Sequence, residues 1–203
     1  MNMDVSDNDM KFKVAALVVL AFFYAVYYGK MLAQRRKGIV TSQIGRRKEK
    51  GLHAVETTMA VATVSVVVSQ LVSIAIGWHM LLPNAVRWAG CGIGLLGDVV
   101  FLVSVLCMAD SWRAGIPDKD RTRLVTRGIY KVSRNPAFLG FDLMYVGVLM
   151  LFFNPATVVF SVFAMVMLHL QILQEERFLP TVFGDEYLNY RRTVCRYLGR
   201  RCR

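Results

Sequence analysis

The chain is short of acid. Among 203 residues it has 14 Asp and Glu against 25 Lys and Arg, a formal net charge of +11. Residues that ligate metals are scarce as well. The four cysteines, Cys91, Cys107, Cys195 and Cys202, form no C-x-x-C pair, and the three histidines add no zinc spacing. The pattern therefore predicts no metal site. Cys91 and Cys107 lie in an apolar segment and read as packing residues. Cys202 stands one residue from the end, so no prenylation box is expected. The opening "MNMDVSDNDM" carries acid where a basic leader region belongs, which argues against a signal peptide. His53 falls in a basic loop and reads as solvated. His79 lies at the far face, and His169 reads as a packed, hydrogen-bonded side chain.

What the chain does have is hydrocarbon. Its residues are 55% hydrophobic, with a mean hydropathy of +0.42, too apolar for an ordinary soluble domain of this size. A basic protein that binds nucleic acid lines one folded face with its charges. Here the charges punctuate apolar runs of roughly 20 residues, the length of a bilayer span. No nucleic-acid partner is expected.

Five such runs stand out: about Phe12 to Ala33, Thr57 to Leu82, Ala85 to Ala109, Phe138 to Phe153 and Pro155 to Gln174. Lipid offers no partner for a bare backbone group, so spans must be helices or closed barrels. These runs are too long and too continuously apolar for barrel strands. The expectation is an all-α integral membrane protein of about five transmembrane helices. Asn154-Pro155 joins the last two runs so tightly that they must form a C-terminal helical hairpin. Basic residues cluster after the first run (Arg35 to Lys50), after the third (Arg113 to Arg134) and in the tail (Arg177 to Arg203). The positive-inside rule then places the N-terminus outside and the tail in the cytoplasm. The chain divides into an N-terminal frame, 1–109, and a region 110–203 holding the last two spans and a cytoplasmic C-terminal segment.

Two polar stretches flank the hairpin on its cytoplasmic side. In "RTRLVTRGIYKVSRNPAFLG", residues 121–140, Gly128 permits a turn and Asn135-Pro136 starts the fourth helix. Its free amides there suit either an anion or simple capping by Asn135. In "EERFLPTVFGDEYLNYRR", residues 175–192, Glu175 and Glu176 sit where the fifth span should leave the bilayer. Carboxylates at that depth are costly and usually have a task. "FGDEY" reads as a turn at Gly184 followed by a short helix carrying Tyr187 and Tyr190 on one face. Asp98 and Asp142 are carboxylates inside apolar runs. Asp142 lies about two turns into the fourth helix and reads either as a wall of a substrate passage or as a structural hydrogen-bonding group.

Taken together, "LVTRGIYKVSRNPAFLG", a helical hairpin and "EERFLPTVFGDEYLNYRR" resemble the isoprenylcysteine carboxyl methyltransferase and phospholipid N-methyltransferase superfamily. The family pattern is L-V-x-x-G-x-Y-x-x-x-R-H-P-x-Y-x-G, a hairpin, E-E, then F-G-x-x-Y-x-x-Y. "DSWRAGI", 110–116, is similar to the bacterial branch. The resemblance covers about residues 110–197. It implies an integral-membrane methyltransferase that uses S-adenosyl-L-methionine in a cytoplasmic pocket and acts on a lipophilic small-molecule acceptor. It further implies that Thr122, Arg123, Leu124, Val125, Tyr130, Arg134, Asn135, Pro136, Ala137, Phe138, Glu175 and Glu176 bind the cofactor. Glu175 and Asn135 would take the catalytic positions, and Asp142 and Gln171 would meet the acceptor.

The chain departs from that pattern at three positions. The family histidine is Asn135, which offers a donor and an acceptor but no titrating ring. The family tyrosine is Phe138. Four residues before the acidic position, prenylcysteine members carry an arginine associated with the substrate carboxylate. Gln171 stands there, and a neutral amide forms no bidentate charged clamp. The alternatives are a membrane reductase of the sterol-reductase type using NADPH, and a non-enzymatic membrane scaffold. Binding of S-adenosylhomocysteine but not NADPH separates the first. Indifference to loss of Glu175 marks the second.

Overall fold

A computed structural model describes residues 2–43, 50–80, 82–113 and 123–200. Among them there are five α-helices: α1 (Asn2–Arg36), α2 (Lys50–Ile76), α3 (Asn84–Met108), α4 (Pro136–Leu151) and α5 (Pro155–Thr193). Four of them carry stretches long and apolar enough to cross a membrane, and the protein is an integral membrane protein. The exception is α4. Its 16 residues reach about 24 Å at 1.5 Å per residue, less than a hydrocarbon core. It is shielded by its neighbours, with Met144, Tyr145, Val148 and Leu151 buried.

α3 and α4 lie against each other backbone to backbone. Gly90, Gly94 and Gly97 share one face of α3 at helical spacing and meet Gly140 and Gly147 of α4. A Cβ added to Gly97 would fall 2.7 Å from the Met144 amide nitrogen. One added to Gly147 would fall 2.5 Å from Gly94 Cα. Small residues at such a seam let helices pack closely in lipid, where no hydrophobic force drives them together. α1 covers the pair through rings: Phe23 stacks on Phe101 at 4.4 Å and meets Phe141 edge-on at 4.6 Å.

The α4–α5 turn is the hairpin that Asn154-Pro155 requires. Asn154 Oδ1 accepts from the Thr157 amide at 3.0 Å, and Thr157 Oγ1 accepts from the Asn154 amide at 3.2 Å. This reciprocal cap satisfies two donors that the helix start would leave bare. The Asn154 amide group also donates to Ser73 Oγ and Trp78 O, both at 3.0 Å. α2 is thereby tied to the same end of the bundle.

α5 does not stop at Gln174. It runs past Pro180 and breaks at Gly184, where φ is 52° and ψ is −133°. That left-handed φ suits glycine. The following turns carry Tyr187 and Tyr190 back over the mouth of the bundle. Residues 194–200 then fold as a small hairpin, with the Cys195 amide donating to Gly199 O at 2.9 Å.

Candidate functional site

At the end of the bundle where α1 and α3 finish and α4 begins, a cavity of about 800 Å³ opens among α1, α2, α4, α5 and the segment 123–135. It draws on both the 1–109 and 110–203 portions. One arm is apolar. Tyr24, Tyr27 and Tyr28 of α1 face Met59, Thr63, Val64, Val68 and Leu71 of α2 across it. Tyr28, Val64, Val68 and Leu71 are exposed on the outside of the bundle, so this arm reaches the lipid-facing surface.

The other end is polar and comes from the two stretches that flank the hairpin. Arg123, Leu124, Val125, Tyr130, Arg134, Asn135, Ala137, Phe138, Gln171 and Glu175 all line it. Residues widely separated in sequence therefore meet at one wall. Thr122 lies outside the described residues. Pro136 starts α4 and is buried, but it does not line the cavity.

The polar atoms of this wall are not all satisfied by protein. Gln171 is fully buried. Its Nε2 donates to Glu175 Oε1 at 3.2 Å, while its Oε1 has no partner among the described residues. Arg134 is also buried. Its Nη1 reaches Glu176 Oε1 at 3.1 Å and donates to Tyr187 Oη at 3.3 Å, while its Nε has no partner. Buried polar atoms are normally hydrogen-bonded. Both residues line the cavity, while these two atoms themselves are sealed from it and lack a partner among the described residues.

Asn135 does not cap α4. Its Nδ2 donates instead to Glu176 Oε1 and Arg196 O, both at 3.2 Å. Tyr130 sits in a short 3-10 turn, Gly128–Lys131, where Gly128 has φ 62°. Its carbonyl accepts from Tyr190 Oη at 2.6 Å. Burial drives the Tyr130 phenol far above the ordinary phenol range, so it stays protonated.

Two expected residues fall elsewhere. Glu176 does not line the cavity. The helical step from Glu175 turns it to the far side of α5, where it joins an ion cluster with Arg134 and Arg196. Asp142 does not line the cavity either. It sits past the edge of the α4 stripe formed by Ala137, Phe138 and Phe141. Its Oδ1 is buried with no hydrogen-bond partner among the described residues, and the pKa of the Tyr197 phenol is raised by burial. His169 Nδ1 lies 2.6 Å from Tyr197 Oη, in keeping with a packed histidine. Sequence reasoning missed Tyr24, Tyr27 and Phe141 as wall residues, and it missed Arg196. It noted Tyr187 and Tyr190, but only as a helix face.

Residues 90–181 match the model of the isoprenylcysteine carboxyl methyltransferase (ICMT) family. A probable protein-S-isoprenylcysteine O-methyltransferase of Oryza sativa subsp. indica is 30% identical over 112 residues, 54% of this chain and 59% of that protein. Protein-S-isoprenylcysteine O-methyltransferase A of Arabidopsis thaliana is 38% identical over 103 residues, 49% of this chain and 52% of its own length. The chain thus spans little more than half of these curated relatives. The solved structure of the eukaryotic intramembrane Ras methyltransferase ICMT shares the fold. Its TM-score is 0.65 at 16% identity, over 93% of this chain and 66% of that one. The matched segment, residues 90–181, thus runs through the polar wall, and the fold is that of an intramembrane methyltransferase of the isoprenylcysteine carboxyl methyltransferase family.

Proposed function

We propose that the protein transfers a methyl group from S-adenosyl-L-methionine to a lipophilic acceptor delivered from the bilayer, at the cytoplasmic face, with its N-terminus outside. One observation carries the reading. A single cavity joins an aromatic, lipid-facing arm to a polar wall carrying the side chains of Arg123, Arg134 and Glu175. Those groups fit the cofactor. A buried guanidinium nitrogen suits its carboxylate, and Glu175 beside Gln171 suits its amino group. The orientation follows from the basic residues, which gather at the end of the bundle where the cavity opens.

When bound, S-adenosylmethionine supplies an electrophilic methyl group on a sulfonium. The protein positions and shields. Glu175 holds positive charge at the wall, where the low dielectric strengthens the attraction. The Tyr130 and Phe138 rings line the space beside it and offer faces that favour an onium group. Asn135, its amide committed to Glu176 and Arg196 O, keeps that corner rigid. Gln171, bonded to Glu175 through Nε2, lines the wall on the acceptor's side. The α1–α2 arm takes the acceptor's hydrocarbon and excludes water. Orientation of this kind contributes up to about 7–11 kcal/mol in the best intramolecular cases.

The curated relatives are named for methylation of protein S-isoprenylcysteine, and a prenylated cysteine belongs to the lipophilic class proposed here. The test uses the purified protein in nanodiscs with methyl-labelled cofactor. One arm receives a lipid extract of its host and the other a farnesylated cysteine probe. Label in either organic phase, with binding of S-adenosylhomocysteine but not NADPH, is the expected result. Absence of both label and S-adenosylhomocysteine binding overturns the reading.

A further inference from the structure

The polar wall rests on residues 132–135, and something must hold that segment, which is neither helix nor sheet. The tail does so. The Gly199 amide donates to Val132 O at 2.8 Å, and the Arg134 amide donates to Cys195 O at 3.1 Å. Arg196 O accepts from Asn135 Nδ2. Residues 194–200 thus lie along 132–135 like an added strand. The side chain of Arg196 completes the clasp: its Nε and Nη2 both donate to Glu176 Oε2, at 3.1 and 2.9 Å. The other oxygen of Glu176 receives Arg134 Nη1 at 3.1 Å and Asn135 Nδ2 at 3.2 Å. One buried carboxylate therefore links the tail to two wall residues. Its carboxylate partner also raises the pKa of Arg196, so the clasp stays charged.

We infer that Arg196 is a positioning residue of the methyl-transfer site, acting through Glu176 on Arg134 and Asn135. This deepens the function proposed above and rests on it. Arg196 touches no cavity-lining atom except through these partners. It also lies beyond residues 90–181, which the family model matches. Its role follows from the fork of guanidinium donors. Both donors converge on one oxygen, Oε2, which anchors that end of the carboxylate and so sets where Glu176 Oε1 meets Arg134. With Arg134 so anchored at Nη1, its side chain is held where it lines the cavity. Without the clasp, Arg134 and Asn135 share a carboxylate anchored at one oxygen only, and the segment 132–135 keeps just its backbone bonds to the tail.

Arg196→Ala tests this, because the Arg196 side chain is 34% exposed and its removal leaves the helical bundle intact. The full chain in nanodiscs is titrated with S-adenosylhomocysteine. Amide hydrogen exchange is then followed over residues 130–135. Expected are a Kd raised about tenfold or more, faster exchange at 132–135, an unchanged thermal midpoint of the bundle, and partial rescue by Arg196→Lys, which restores charge but not the fork. Wild-type affinity and wild-type exchange in Arg196→Ala would overturn the inference. If the unmodified chain binds no S-adenosylhomocysteine, the proposed function falls. The clasp is then judged on exchange alone: faster exchange upholds it and unchanged protection overturns it.

Discussion

Two arginines are buried at opposite ends of this bundle, and they are used differently. Arg87, at the start of α3, spends all three nitrogens on protein. Its Nε donates to Leu151 O at 3.0 Å, Nη2 donates to Asp9 at 3.2 Å, and Nη1 lies 3.4 Å from His79 Nε2. Its guanidinium also sits 3.9 Å over the Phe12 ring. It closes the C-terminal end of α4 and pins α1 to α3. Arg134 is buried as deeply, yet its Nε has no partner among the described residues and its side chain lines a cavity. Burial of a charge therefore says little about function. What distinguishes the two is whether the donors are exhausted and whether a cavity adjoins the side chain.

That contrast can be broken by experiment. The largest effect is expected at the polar wall itself. Glu175→Ala should lower kcat/KM by about 100-fold or more, roughly 2.7 kcal/mol of transition-state stabilisation, with the thermal midpoint kept. Normal turnover would remove Glu175 from the site. Glu176→Gln, one residue on, should act on stability as well as on cofactor affinity, since Glu176 holds Arg134 and Asn135. It leaves Arg134 buried without a counter-charge, which costs about 3–5 kcal/mol, read as a fall in thermal midpoint. Arg87→Ala should cost about 2 kcal/mol from hydrogen bonds to a charged group and leave the KM for cofactor unchanged. A shift in that KM would show that the two ends are not independent. The smallest effect is expected at Gln171→Ala, about a fivefold rise in acceptor KM, the worth of one neutral hydrogen bond, with cofactor affinity little altered.

The sequence shows this architecture unevenly. The helices of the frame follow from runs of hydrocarbon, and the hairpin follows from Asn154-Pro155, because lipid leaves few alternatives. The extension of α5 through Pro180 was hidden. Residues 175–193 carry too many charges for an apolar run to mark them. The glycine seam was on the page as Gly90, Gly94 and Gly97, but spacing alone does not reveal which helix will press against it. The wall residues from 123 to 138 and at 171 and 175 were found through motif order, except Thr122, which lies outside the described residues. Glu176 and Asp142 do not line the cavity, for a similar reason. Adjacent residues on a helix point about 100° apart, so Glu175 and Glu176 cannot serve one pocket equally. Asp142 is separated from the cavity by a similar step. Arg196 was unreadable, since nothing local ties it to Glu176 twenty positions earlier.

The arm between α1 and α2 meets the hydrocarbon phase directly through Tyr28, Val64 and Leu71. A substrate that comes by that route is dissolved in two dimensions, not three. The quantity that sets turnover is then its mole fraction in the leaflet, and diluting the buffer will not change the rate. A surfactant tail shares the chemistry of that arm's lining, and kinetics taken in micelles would then report a contest with the solubilising agent.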